Sequence, residues 1–177
     1  MTRTTRTLVK IGVFLCVAVL VNQPELRADD ESFLNGRYSF SAQGNRSDLF
    51  PIAGDHVSRA GTIRFDGNGL VTAARFTETI DGRTITIGGT GSEAGTLRFA
   101  GGTYTVSNSG LGRVVLRFAS DLSPIPGPNT EFLDEVWDIS LTSGGRGFFL
   151  NVSEENVRIG IVGGNEAVTI GGEAHAN

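Results

Sequence analysis

Few side chains in this sequence have the types and spacing that do chemistry. Asp66-Gly67-Asn68-Gly69 starts like a calcium-binding loop. Such a loop needs about six or more oxygen ligands from a defined run. After Gly69 the chain continues Leu70-Val71-Thr72-Ala73-Ala74, with no acid until Glu78. The same four residues suit a hairpin turn between Phe65 and Leu70, because Asn and Gly tolerate the left-handed backbone. A turn is the expectation.

His56 and His175 lie far apart, and Asp55 and His56, as neighbours on a strand, point to opposite faces. With Cys16 the only cysteine, no zinc set assembles. No Gly-x-Ser-x-Gly elbow marks a nucleophile. Gly88-Gly89-Thr90-Gly91-Ser92 has the glycines of a phosphate loop, but no helix or lysine follows it, so it reads as a turn. Neither a metal nor a cofactor is expected.

Two acidic features remain. Glu78 shares a strand face with Phe76 and Ile80. A carboxyl buried on such a face holds its proton more tightly and can serve as an acid or base, which makes Glu78 the one weak catalytic candidate. The cost of burying an unpaired charge predicts instead a bulge or strand end that leaves it in water. Glu131, Asp134, Glu135 and Asp138 gather around Trp137 and read as a solvated acidic rim rather than a cation site.

The elements that must position these groups are strands. Glycine is abundant at 25 residues and proline scarce at 5, and the glycines punctuate short alternating runs. "GRYSFSAQ" places Tyr38, Phe40 and Ala42 on one face. "TIRF" does the same for Ile63 and Phe65, and "TYTV" for Tyr104 and Val106. "GRVVLRF" adds Val114, Leu116 and Phe118, and "VWDISL" adds Trp137, Ile139 and Leu141. Asp81-Gly82 has the chemistry of a two-residue hairpin turn. Eight to ten such strands, nearly all joined by short connections, predict an all-β fold. An antiparallel up-and-down β-barrel hides the strand edges, with a β-sandwich as the alternative. Two longer connections, 44–56 with Leu49, Phe50 and Ile52 and 120–133 with Pro124, Pro126 and Pro128, are expected to fold over the barrel ends.

Arg3, Arg6 and Lys10 followed by the apolar run Ile11 to Val21 have the order of a secretory signal peptide, with cleavage expected after Ala28. Residues 29–177 then form a single domain without cysteine, secreted or periplasmic. Losing Arg3, Arg6, Lys10, Arg27 and Glu25 takes 15 basic and 19 acidic residues to 11 and 18, a net charge of −7. That balance argues against nucleic acid as a partner. Lys10 is the sole lysine, so every basic residue after it is Arg. No stretch of sequence clusters them as a fork for carboxylate or phosphate requires, and codon bias in a GC-rich genome is the expected reason for the preference. Arginines on outward strand faces, among them Arg37, Arg64 and Arg75, disfavour a barrel embedded in lipid.

"LNGRYSFSAQG", "AGTIRFDGNGLVTA", "GTYTVSNSGLGRVVLRF" and "WDISLTSGGRGFFL" together resemble a recurrent pattern of exported bacterial β-barrel proteins without known activity. The pattern spans most of residues 34–152. In layout it is more distantly similar to calycin and allene-oxide-cyclase-like barrels. The resemblance implies location and fold, but no activity. The expected role is a non-enzymatic exported barrel that binds a small hydrophobic molecule or acts as an envelope or extracellular structural module. Tyr38, Phe40, Phe76, Tyr104 and Phe118 would line a ligand cavity. A cyclase or isomerase using Glu78, or a protein-interaction module, are the alternatives.

Overall fold

The computed structural model describes residues 31–46, 55–80, 82–89, 97–120, 131–142, 146–159, 162–166 and 168–177. Residues 1–30 with Cys16, on which the signal-peptide expectation falls, Asp81, and most of the two longer connections, with Leu49, Phe50, Ile52 and the three prolines, lie outside them. A short 3-10 turn, Glu31–Phe33, precedes ten strands: β1 Asn35–Arg46, β2 Asp55–Asp66, β3 Leu70–Ile80, β4 Arg83–Gly88, β5 Arg98–Val106, β6 Leu111–Ala119, β7 Phe132–Leu141, β8 Gly147–Ile159, β9 Val162–Glu166 and β10 Val168–Ala176.

The sheet is antiparallel, in the order β10-β1-β2-β3-β5-β6-β7-β8-β9. β10 pairs with β1 along its length and also with β8, which closes the sheet on itself. β9 and β10 follow one another along the same side of β8 and together make one interrupted stave. The result is a closed barrel of eight staves with β4 as an extra strand. The closure removes the sandwich alternative.

β3 divides its partners. Leu70 and Val71 pair with β5, whereas Arg75 to Ile80 pair with β4. β4 therefore fills the wedge where β5 leaves β3, and Gly88 N–H donates to Leu97 C=O at 2.8 Å where the two strands meet.

The alternation of the sequence survives as burial. Tyr38, Phe40 and Ala42 face inward while Arg37, Ser39 and Ser41 are exposed. Three bulges reset that phase. Thr72 on β3, Ala100 on β5 and Ser153 on β8 each have no directly opposite residue, and the inward positions shift by one beyond them. On β3 the inward set passes from Val71 to Ala74, Phe76 and Glu78. On β8 it passes from Phe148, Leu150 and Val152 to Glu155, leaving Glu154 outside.

Asp66-Gly67-Asn68-Gly69 is a hairpin turn. One Asp66 carboxylate oxygen accepts from Asn68 N–H at 2.7 Å and from Leu70 N–H at 3.0 Å, while Gly67 and Gly69 take φ of 81° and 90°. At the same end of the barrel the 3-10 turn lies across the opening. The Tyr104 hydroxyl donates toward Glu31 C=O at 2.8 Å and Leu34 C=O at 2.9 Å, and Leu34 is fully buried.

The rings inside contact one another edge to face. Phe65 meets Tyr104 at 4.8 Å, Phe40 meets Trp137 at 5.0 Å, and Phe76 meets Phe118 at 5.5 Å between centroids. Such pairs add about 0.5–1.5 kcal/mol beyond their burial. Gly61 sits between Phe40 and Phe76 in the register, and those two rings meet edge to face at 6.0 Å.

A side chain at Gly61 has no room, because a Cβ there falls 2.3 Å from Arg75 C=O and 2.4 Å from the Phe76 Cβ. Gly61→Ala is expected to cost about 1–3 kcal/mol by overpacking, read as a lower denaturant midpoint at unchanged m-value. Burial pushes the Tyr38 and Tyr104 phenols above their ordinary value of 10.0. Above that pH the unfolded chain releases phenolic protons that the folded chain keeps, so stability is expected to fall as pH rises past about 10. Tyr104→Phe should flatten that decline and lower stability at pH 7 by about 1–2 kcal/mol, since the one hydroxyl proton that the Glu31 and Leu34 carbonyls share is lost. Urea titrations at pH 7, 9 and 11 measure both effects.

Candidate functional site

Arg59 lies on the inward phase of β2, in step with Val57, Gly61, Ile63 and Phe65, and its side chain is about 1% exposed. Three glutamates surround it, each directed inward from a different strand. Glu78 is directly opposite on β3, and Arg59 Nε donates to Glu78 Oε2. Glu135 on β7 and Glu155 on β8 are directly opposite each other. Arg59 Nη1 lies 2.7 Å from Glu135 Oε1, and Nη2 lies 3.3 Å from Glu155 Oε2. β2 and β7 are four staves apart in either direction around the barrel, so the guanidinium joins opposite walls through the interior.

The surroundings complete the arrangement. Glu135 and Trp137 are two residues apart on β7 and share the inward face, and Trp137 Nε1–H donates to Glu135 Oε2 at 2.7 Å. The Arg59 guanidinium carbon lies 5.1 Å from the centre of the Phe76 ring, within cation–π range. The Nη1–Glu135 Oε1 approach is an ion-pair contact without hydrogen-bond alignment, and neither atom has another partner among the described residues. Burial works against the charge on Arg59, but the carboxylates of Glu135, Glu78 and Glu155 outweigh it and hold its proton above the ordinary arginine range.

This geometry corrects two sequence expectations. Glu78 is not left in water by a bulge or strand end. It is 1% exposed, and the bulge at Thr72 is what brings it to the inward phase. The expectation rested on the cost of an unpaired charge, and Arg59 supplies the pair. Nor is the acidic group around Trp137 a uniformly solvated rim. Asp138 is exposed, and Glu131 and Asp134 are half-buried, but Glu135 is fully buried. Asp134 faces outward 3.5 Å from Arg117, where burial raises its carboxyl pKa and Arg117 lowers it.

Sequence reasoning passed over Arg59 and Glu155. Arg59 was legible, since stepping back by twos from Phe65 and Ile63 reaches it. Glu155 was not, since stepping forward from Phe148 reaches Glu154. The structure brings all five predicted ligand-binding residues to the interior, at 0–5% exposure. It divides them into two groups. Tyr38 and Tyr104 both pack on Phe65 toward the end covered by the 3-10 turn, and Phe40, Phe76 and Phe118 form a chain of ring contacts nearer Arg59.

Chemically, the guanidinium divides its three nitrogens among three carboxyls, a fixed electrostatic tie. Proton transfer to a substrate requires that substrate within hydrogen-bond reach of Glu78. The carboxylate is instead held by Arg59, with Val57 and Leu133 buried between the cluster and the strand ends.

Removing one partner of a buried ion pair costs about 3–5 kcal/mol, because the others remain buried and uncompensated. Arg59→Met is expected to lose that amount by denaturant titration. Arg59→Met combined with Glu78→Leu, Glu135→Gln and Glu155→Leu should recover most of it, since the carboxylates leave with the cation. Comparison with protein-family models, with curated proteins and with solved structures gives no match to this chain.

Proposed function

We propose that this protein is a non-enzymatic exported barrel whose interior is its own structural core and whose interactions take place on the outer wall. The observation that carries this reading is the contact of the inward side chains with one another. The inward rings meet one another at 4.8–6.0 Å, and the one polar cluster among the described residues gathers three carboxyl groups around a central guanidinium. A barrel of eight strands has an interior just wide enough for side chains to fill or for one small ligand to occupy. Here Phe40, Phe76, Phe118 and Trp137 are buried together in one hydrophobic core. The leader-like start of the chain and the resemblance to exported barrels support a secreted or periplasmic location. Two depressions, of about 470 and 330 Å³, open on the outer wall, lined in part by Val115, Val136 and Glu154 and by Arg37, Thr62 and Arg75 respectively.

An uncharged aromatic probe separates this reading from a ligand inside the barrel. Calorimetry with benzene or indole is expected to show no binding to the parent. Phe76→Ala should open an apolar cavity, destabilise the protein by about 3–5 kcal/mol and gain binding of the probe. Stoichiometric binding to the parent that Phe76→Ala abolishes would establish an interior ligand site instead. Turnover of any substrate by the parent, lost in Glu78→Gln at unchanged melting temperature, would establish the cyclase or isomerase reading.

A further inference from the structure

The eight staves pair on both sides, but β4 has an open one. It pairs with β3 from Arg83 to Gly88. On its other side Gly88 N–H donates to Leu97 C=O at 2.8 Å, where β5 approaches. Backbone groups alternate in direction along a strand, so Thr84 and Thr86 aim their N–H and C=O groups the same way as the Gly88 N–H, away from β3. The Thr79 and Thr84 hydroxyls agree with that phase. They meet at 2.9 Å across the strands, the close approach of a pair with no backbone hydrogen bonds between its members. Among the described residues, neither Thr84 nor Thr86 has a backbone partner on the open side.

An open edge is a template for another strand, and proteins blunt such edges with a charge, a proline or a bulge. From Thr84 to Ile87, β4 has none of these. It is a run of β-branched residues, Thr-Ile-Thr-Ile, which favours an extended strand. Ile85 adds an apolar contact. It is in step with buried Ile87 and directly opposite buried Glu78, yet it is 44% exposed, and no described strand stands on its other side.

We propose that β4 pairs edge to edge, antiparallel, with β4 of a second copy of this chain. The hydrogen-bond phase selects that partner, because the edge is complementary to itself. A two-fold axis at Ile85 sets Thr84 opposite the partner's Thr86 and Thr86 opposite the partner's Thr84. Each of these pairs exchanges both of its backbone hydrogen bonds, so every outward N–H and C=O of the two threonines is satisfied. Ile85 meets the partner's Ile85 on the axis, in the kind of pair whose side chains approach most closely. Strand addition of this sort draws its affinity from the main chain. The shared surface is small, so association is reversible and concentration-dependent. It is independent of what the barrel interior holds, and the uncharged probes of the interior do not test it.

Sedimentation of the protein across a concentration series tests the pairing, and the parent is expected to pass from monomer to dimer. Thr86→Pro removes an outward N–H and leaves the ladder to β3 intact, because that N–H faces away from β3. Ile85→Lys sets like charges against each other on the axis. Each is expected to raise the dimer dissociation constant roughly tenfold or more while cooperative unfolding is retained. Leu111→Lys, at a position 58% exposed on β6, should leave it unchanged. The register is read separately by a thiol. In a Cys16→Ser background, Ile85→Cys places two sulfurs within disulfide reach, since the Cα atoms of such a pair lie about 4.5 Å apart. Mild oxidation is expected to give a covalent dimer roughly tenfold faster than with Leu111→Cys. A parent that stays monomeric throughout the series overturns the pairing, as does a dimer undiminished in both Thr86→Pro and Ile85→Lys. Disulfide formation no faster in Ile85→Cys than in Leu111→Cys overturns the axis at Ile85.

Discussion

The position of Arg59 inside the barrel is the constraint on which much of the interior depends. A guanidinium removed from water must be neutralised and hydrogen-bonded where it lies, or the fold bears a desolvation cost of several kcal/mol. Glu78, on the adjacent strand, satisfies it within one wall. From across the barrel Glu155 accepts a hydrogen bond from it and Glu135 adds an ion-pair contact. The consequence is geometric as much as energetic. Dispersion among phenyl rings tolerates small slips, but an ion pair through the centre fixes which residue of β2 faces which residue of β7. Trp137 then has a fixed acceptor in Glu135, and Phe40 packs on Trp137. Buried ionic groups add little net stability in general, and their best-attested use is to set register.

The cluster also depends on the bulges. A strand that alternates without interruption can present only even or only odd positions to the interior. β8 presents Phe148, Leu150 and Val152 at one end and Glu155 at the other, which one extra residue at Ser153 permits. Thr72 does the same for β3, so that Val71 faces inward near the covered end and Glu78 faces inward beside Arg59. On β8 the apolar and the ionic residues of the interior are thereby drawn from opposite phases of one strand.

This explains which parts of the structure could be read from the sequence. The strands, their turns and the barrel class follow from local rules. Tyr38 and Phe40 alternate with Arg37 and Ser39, and Asp66-Gly67-Asn68-Gly69 carries its own turn chemistry. Both signals are complete within a few residues. Trp137, Val114 and Phe118 were assigned to the interior for the same reason. The ionic cluster is different in kind. Glu78 could be placed on the right face, but whether that face would tolerate it depended on Arg59, 19 residues earlier, and on Glu135 and Glu155 far later. Bulges carry no reliable composition signal, so the phase of Glu155 was hidden.

The position of β10 has a consequence for how the chain reaches this structure. β10 is the last strand, yet it is the one that joins β1 to β8. Until residues 168–176 are in place, the curled sheet has two open edges, and each presents a row of unpaired amides to any neighbouring chain. Closing it brings together partners more than a hundred residues apart, such as Tyr38 and Ala176, the kind of contact that slows folding. A chain cut short before β10 would retain most of its apolar staves but no seam. It would be a template for edge-to-edge association rather than a slightly smaller barrel.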